Sequence, residues 1–257
     1  MLPDGFNGAM TRRPNPNRSG EKNVLWLYGI HAVRAALENP HRKCRRAVLT
    51  QTAAGHIGER VLRGIDVQIV GADEVSRILP PGAVHQGVAL ACDPLPRRDL
   101  DEITAGEARK IVVVLDQISD PQNVGAILRS AAGFDAAAVI VQDRHAPPES
   151  GALAKAASGA LDIVPYLPVV NIARVLEQLG EAGFWRIALG QGSGRTLADA
   201  MAAGNVVLVL GSEGAGIRNL VRARCDDTAS IPIGPRMESL NVSNAAAIAL
   251  YECRRSK

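Results

Sequence analysis

The sequence predicts an α/β protein organised around a parallel sheet and preceded by a small α/β unit. Three observations carry that reading. Short, near-continuous apolar runs rich in Val, Ile and Leu recur from Ile111 to Ile231, as expected of strands covered by helices on both faces. Alanine-rich stretches at helical spacing lie between them. Finally, a chain of 257 residues that is 47% apolar can fill a complete core.

Taken in order, residues 1–22 carry Pro, Gly, Asn and Arg with little apolar content, and are expected to form a disordered basic arm. The small α/β unit spans 23–93. In it, residues 28–37 have helical spacing, 47–50 read as a strand, 57–62 as a helix and 67–70 as a strand. Asp73 is placed to cap a helix through Leu79, Pro80 and Pro81 stop it, and 88–92 close the unit as a strand. Residues 94–110, with Pro94, Pro96 and alternating charges, read as a linker. The larger unit, 111–257, has expected strands at 111–115, 138–141, 163–166, 186–189, 206–210 and 228–231. Its expected helices are 123–132, 150–158, 172–179 and 245–254.

The net charge of +3 hides an asymmetry. The first 50 residues hold nine Lys and Arg against three acids, a net +6, so the remainder sums to −3. Such a basic third suits a phosphate-rich partner, with Arg34, Arg42, Lys43, Arg45 and Arg46 as candidate RNA contacts; the other reading is a solvated basic tail. The four cysteines, Cys44, Cys92, Cys225 and Cys253, lack CxxC or Cys/His spacing, which argues for reduced thiols and against a metal. No apolar run approaches the roughly 20 residues of a bilayer span. With no secretory signal at the start, a cytoplasmic location is expected.

Three segments carry the candidate chemistry. After the run ending at Leu210 comes Gly211-Ser212-Glu213-Gly214-Ala215-Gly216, a glycine-rich turn bearing one acid. A P-loop would need Lys followed by Ser or Thr, and Ile217 and Arg218 stand there instead. A dinucleotide fingerprint at Gly190, Gly192 and Gly194 fails because Arg195 holds the third glycine's place, so that stretch reads as a plain turn. The second segment runs from Ile231 through Ile233, Ser239, Leu240 and Asn241 to Ser243, where Ser243 or Asn244 is expected to cap the last helix. The third is Asn123 to Arg129, expected to lie near one helix face, with Gly125, Ala126, Ala131 and Ala132 allowing close packing. A turn at His85-Gln86-Gly87 is a weaker feature.

Together these segments resemble the three signature motifs of the SpoU/TrmH family of knotted RNA 2′-O-methyltransferases, over the chain from about Val24 onward. The resemblance implies a C-terminal trefoil knot and a homodimer formed through the larger unit. It implies S-adenosylmethionine bound by Leu210, Gly211, Gly214, Ile231, Ile233 and Leu240, with Ile231 and Leu240 bracketing the adenine and Gly211 admitting the ligand to the backbone. It implies Asn123, Arg129, Glu213, Ser239 and Asn241 as the catalytic set. The guanidinium of Arg129 stays protonated, which suits a phosphate clamp better than a base; which group takes the proton is left open. The small unit resembles the L30e-like RNA-binding domain of members that methylate guanosine in large-subunit rRNA, and tRNA-specific members generally lack it. The alternatives are a tRNA 2′-O-methyltransferase and a non-catalytic RNA-binding or ribosome assembly factor. The segment from Lys110 onward is expected to fold and bind cofactor alone.

Overall fold

The computed structural model describes residues 24–255 except 192 and 202. The expected basic arm, with Arg12, Arg13, Arg18 and Lys22, lies outside the described residues, as does Gly192 of the turn.

The small unit is a four-stranded sheet. It comprises β1 (Leu25–Tyr28), α1 (Ile30–Glu38), β2 (Cys44–Leu49), α2 (Gln51–Ile57), α3 (Glu59–Leu62), β3 (Asp66–Ile69), α4 (Ala72–Ile78) and β4 (Val88–Cys92). The order is β1-β4-β2-β3, with β4 antiparallel to both neighbours and β2 parallel to β3. Strand β1 was not expected, because its apolar residues run straight into the helical pattern; Gly29, at φ 87°, makes the break. Gly71, not Asp73, stands at the N-cap of α4, and Asp73 lies in the first turn, where a carboxylate faces the positive helix end.

Helix α5 (Leu100–Thr104) interrupts the stretch read as linker. The larger unit then runs β5 (Ile111–Asp116), α6 (Pro121–Gly133), β6 (Ala138–Gln142), α7 (Gly151–Ala157), a 3-10 turn at Ala160–Asp162, β7 (Tyr166–Val169), α8 (Ile172–Glu181) and β8 (Trp185–Leu189). It continues with α9 (Leu197–Ala200), β9 (Val206–Gly211), α10 (Asn219–Arg222), β10 (Asp227–Ala229) and α11 (Val242–Arg255). Its six strands are all parallel, in the order β10-β8-β9-β5-β6-β7. Strand β7 sits three residues beyond its expected start because Ile163 N and Val164 N turn back to donate to Ala160 O, and it carries Pro168, which an edge strand tolerates.

Alternation along β5 sets the layers. Ile111, Val113 and Leu115 pack with Val124, Ile127 and Leu128 of α6 and Ala246, Ala249 and Leu250 of α11. Val112 and Val114 pack with Leu176 and Leu179 of α8 and Val221 of α10. The first of these clusters does not stop at the larger unit: it continues through Leu153, Ala157 and Leu161 into Leu27, Val33 and Ala36. The two sheets therefore share one continuous core. Helix α6 begins at Pro121, two residues before the expected start, with the Asp120 carboxylate accepting from Gln122 N. Proline at the first helical position needs no N–H there. Gly125 meets the expectation of close packing, since a Cβ there would lie 2.4 Å from Ala156 Cβ of α7.

Candidate active site

The carboxyl ends of β8, β9 and β10 open on a cleft of about 800 Å³. Open parallel sheets present ligand sites at this edge, near the point where strand order reverses, here between β5 and β9. Leu210, Gly211, Gly214, Ile231, Ile233 and Leu240 all line the cleft, and Glu213 and Ser239 reach it too. Its volume lies in the range of cofactor sites, and apolar walls with a polar rim suit a nucleoside-bearing ligand. Leu189, Gly190 and Gln191 complete the wall after β8. The stretch read as a plain turn thus belongs to the site, and its position after a strand's carboxyl end was the available signal. Arg222 also lines the cleft, a cation that the sequence reading passed over.

Gly211 also has a reason within the protein itself. A Cβ at this position would stand 2.1 Å from Gly216 C and 2.3 Å from Ile217 N, so the absent side chain makes room for the returning loop. That loop closes through Gly216 N donating to Ser212 O at 2.9 Å. It is pinned from below by Asp116, which is wholly buried at the end of β5 and pairs in register with Gly211. The carboxylate of Asp116 accepts from Arg218 N and Nε, both at 2.9 Å. A buried carboxylate requires such pairing. An acid ending a fully apolar strand was the signal for it, but nothing in the sequence pointed to Arg218.

The three motifs meet at Asn241. Its Nδ2 donates to Asn123 Oδ1 at 3.0 Å and to Glu213 Oε1 at 2.8 Å. Its Oδ1 accepts from Ser243 N at 2.9 Å and from Ser243 Oγ at 2.6 Å. Asn241, not Ser243 or Asn244, therefore caps α11, and Ala245 N donates to its main-chain oxygen. A reversed amide would face its oxygen toward Glu213 and its hydrogens toward Ser243 N–H, so the neighbours define the orientation. Both amide hydrogens and both acceptor positions of Asn241 are used within the protein.

Arg129 is exposed on α6, and its guanidinium makes no hydrogen bond or ion pair with any described residue. The expectation that it shares a face with Asn123 does not hold: six residues turn a helix by roughly 600°, which leaves the two about 120° apart. Ser239 is exposed on the cleft wall.

Of the five candidate RNA contacts, four are exposed. Lys43 is one; Arg34 pairs with Glu38, Arg45 pairs with Asp93, and the Arg46 guanidinium lies 5.5 Å from the Trp26 ring centre. Arg42 is the exception, because its side chain is completely buried against Asp162 and Glu149 and cannot reach a phosphate. The His85 turn is structural: His85 Nδ1 accepts from Gly87 N, and Gln86 Oε1 accepts from Ile30 N and Lys155 Nζ. Burial pushes the thiols up, Cys44 to about 11 and Cys92, Cys225 and Cys253 to about 12, so they stay protonated at neutral pH.

Comparison with known proteins agrees with this geometry. The SpoU rRNA Methylase family matches residues 110–251, and the RNA 2′-O ribose methyltransferase substrate binding family matches 26–98. The chain is 35% identical over 242 residues to the 23S rRNA (guanosine-2′-O-)-methyltransferase RlmB of Vibrio vulnificus, a match covering 90% of this chain and 97% of that protein. The AdoMet-bound rRNA methyltransferase from Sinorhizobium meliloti matches with a TM-score of 0.75 and 25% identity, over 91% of this chain and 87% of that one. The SpoU methyltransferase AviRb from Streptomyces viridochromogenes, in complex with AdoMet, shares the fold with a TM-score of 0.76 and 24% identity, over 91% and 90% of the two chains.

Proposed function

The chain belongs to the SpoU rRNA methylase family, and we infer from that membership that it transfers a methyl group from S-adenosylmethionine to the 2′-hydroxyl of a guanosine ribose in 23S rRNA. The observation that carries the reading is the meeting of Asn123, Glu213 and Asn241, from three separate segments, beside a cleft of nucleoside size. The cofactor would lie against Leu210, Gly211, Gly214, Ile231, Ile233 and Leu240, and it supplies a methyl group already activated on a sulfonium. The protein must then align the hydroxyl and accept its proton.

Arg129, permanently charged and without a protein partner among the described residues, clamps a phosphate and stabilises negative charge developing on the ribose oxygen. Asn123 spends its oxygen on Asn241, which leaves its amide hydrogens for the RNA. Glu213 spends Oε1 on Asn241 and Val242 N; its Oε2 is the candidate acceptor for the hydroxyl proton. Ser239 lines the same wall and helps to orient the hydroxyl.

The reading extends to organisation. Residues 23–93 serve as an L30e-like RNA-binding domain, with Arg34, Lys43, Arg45 and Arg46 neutralising phosphate, and 111–257 serve as the catalytic domain, joined by 94–110. A C-terminal trefoil knot comes with the family membership, and the contacts of the last loops are compatible with it. After β10 at the sheet edge, Ser230 bridges Thr196, Gln191 Nε2 donates to Glu238 O, and α11 then returns to the central layer beside α6. A homodimer is supported by Ile248 and Tyr251, which are exposed on one face of α11. No described helix is long and apolar enough to cross a membrane; an rRNA substrate is consistent with activity in the cytoplasm.

The test offers labelled donor with purified 23S rRNA, 16S rRNA and tRNA in separate reactions. Label confined to 23S rRNA is expected. Label in tRNA alone would move the substrate assignment, and no label in any of them would favour a non-catalytic RNA-binding role.

A further inference from the structure

The N-terminal unit is held to the catalytic sheet by a buried ion cluster that phosphate binding does not explain. Arg42 follows α1, and its side chain is fully buried. Its Nε and Nη2 engage the two oxygens of Asp162 at 2.8 and 3.1 Å, while Nη1 reaches the Glu149 carboxylate. Asp162 ends the 3-10 turn and Glu149 lies just before α7, so both carboxylates come from the opposite unit. The cluster is completed by Asn39 Nδ2, which donates to Asp162 Oδ1 and O, and by Leu95 N, which donates to Glu149 Oε2 at 3.0 Å. Burial works against the charge of Arg42, but the bonds and charges of Asp162 and Glu149 outweigh it and hold its pKa above the ordinary value.

The backbones around the cluster are nearly touching. A Cβ on Gly151 would lie 2.4 Å from Trp26 O and 2.5 Å from the Tyr28 ring, and one on Gly159 would lie 2.8 Å from Ala35 Cβ. Apolar contact alone would hold the units together with less desolvation. What the two-pronged arginine fork adds is direction, since it is satisfied in one relative orientation.

We propose that Arg42 is a positioning residue: with Asp162 and Glu149 it fixes the RNA-binding unit at one offset from the cleft, so that bound rRNA presents its target ribose to Arg129. The proposal rests on the 23S rRNA reading for its substrate, but the clasp itself does not. A misplaced platform would still bind RNA through Arg34, Lys43, Arg45 and Arg46, and would lose rate because alignment is lost.

The experiment uses the full chain with Arg42→Met, Glu149→Gln and Asp162→Asn combined, which leaves no unpaired buried charge. Affinities for S-adenosylhomocysteine and for transcribed 23S rRNA are expected to stay within about threefold of wild type, while kcat falls at least about tenfold. Amide exchange in α7 and the 3-10 turn should accelerate. Unchanged kcat, or an rRNA affinity that falls while kcat is kept, would overturn the proposal. Should the triple variant fail to fold, Arg42→Lys keeps the charge and loses the fork; a kcat equal to wild type in that variant is equally fatal. If wild type methylates no rRNA, the functional reading fails separately. The exchange measurement then decides the clasp, and unchanged protection rejects it.

Discussion

Asn241 donates one amide hydrogen to Asn123 and the other to Glu213, at 3.0 and 2.8 Å, and in doing so ties all three motifs together through a single side chain. With its oxygen also occupied by Ser243, this amide has nothing left to offer the RNA. In the proposed mechanism it holds Asn123 and Glu213 in place.

Asn241→Asp tests that role through pH. The ionised variant would set a second carboxylate against Glu213, and like charges in contact raise the pKa of the pair. Once protonated, the new carboxyl regains one donor toward Glu213 and keeps an acceptor for Ser243. The protonated form dominates below the raised pKa, so activity should recover as pH falls. We expect a rate at least about tenfold below wild type near neutral pH, with the ratio of variant to wild-type rates rising toward about pH 5. A ratio independent of pH would show that the donated hydrogens are not needed.

Arg129→Ala should abolish methyl transfer and leave the affinity for S-adenosylhomocysteine close to wild type, because Arg129 does not line the cleft. Single-turnover transfer and a binding titration measure the two effects separately. A variant retaining more than about a tenth of the rate, a loss under ~1.4 kcal/mol, would make Arg129 peripheral.

S-adenosylhomocysteine should raise the Tm of the full chain by binding the folded state only. In Gly211→Ala the new methyl collides with main-chain atoms of Gly216 and Ile217, which cannot rotate away as a side chain could. Overpacking of this kind costs typically about 1–3 kcal/mol. The expected result is a lower Tm together with a much smaller ligand-induced shift, read by calorimetry. A full shift in the variant would mean that the loop after β9 does not shape the cofactor site.

The parallel sheet and the edge that carries the cleft were legible in the sequence because both depend on local pattern, whereas Gly190 and Gln191 look like a plain turn and the other wall residues follow from the family resemblance. An apolar run such as Val206–Gly211 announces a buried strand, and the loops after such strands announce the ligand edge. Long-range pairing was not legible. Arg42 looked like its exposed neighbours Lys43 and Arg45, and only the fold brings Asp162, 120 residues away, to meet it. Arg218 was likewise invisible as a partner until Asp116, 102 residues earlier, was placed beside it. Charge counted along a chain cannot separate a solvated arginine from one neutralised inside.

Asp226 holds the Arg186 guanidinium against the end of β8, and the hydrogen bond from Arg186 keeps its carboxyl below the ordinary 3.8. A folded-state value below the unfolded one stabilises the fold above the unfolded value, and that contribution disappears as pH falls through the folded one. Asp226→Asn should therefore lower the Tm at neutral pH, and the gap should close on acidification below about pH 4. A gap constant across that range would show that the ion pair contributes no stability.

The segment from Lys110 onward is not expected to stand alone as well as the sequence suggested. Removing the first unit strips the shared core from Leu153, Ala157 and Leu161, and it leaves Asp162 and Glu149 without Arg42. Breaking a buried pair from one side costs about 3–5 kcal/mol, equivalent to roughly 10 °C in Tm for a domain of this size. The truncated protein should melt below the full chain, by up to about 10 °C, and adding Glu149→Gln with Asp162→Asn should recover part of the loss. Solvent reaching the freed carboxylates would reduce the deficit but not remove it, because the apolar face of α7 is exposed by the same cut. A fragment melting within a few degrees of the full chain would mean that the two units merely touch, and the relative orientation of platform and cleft would then have to come from the RNA.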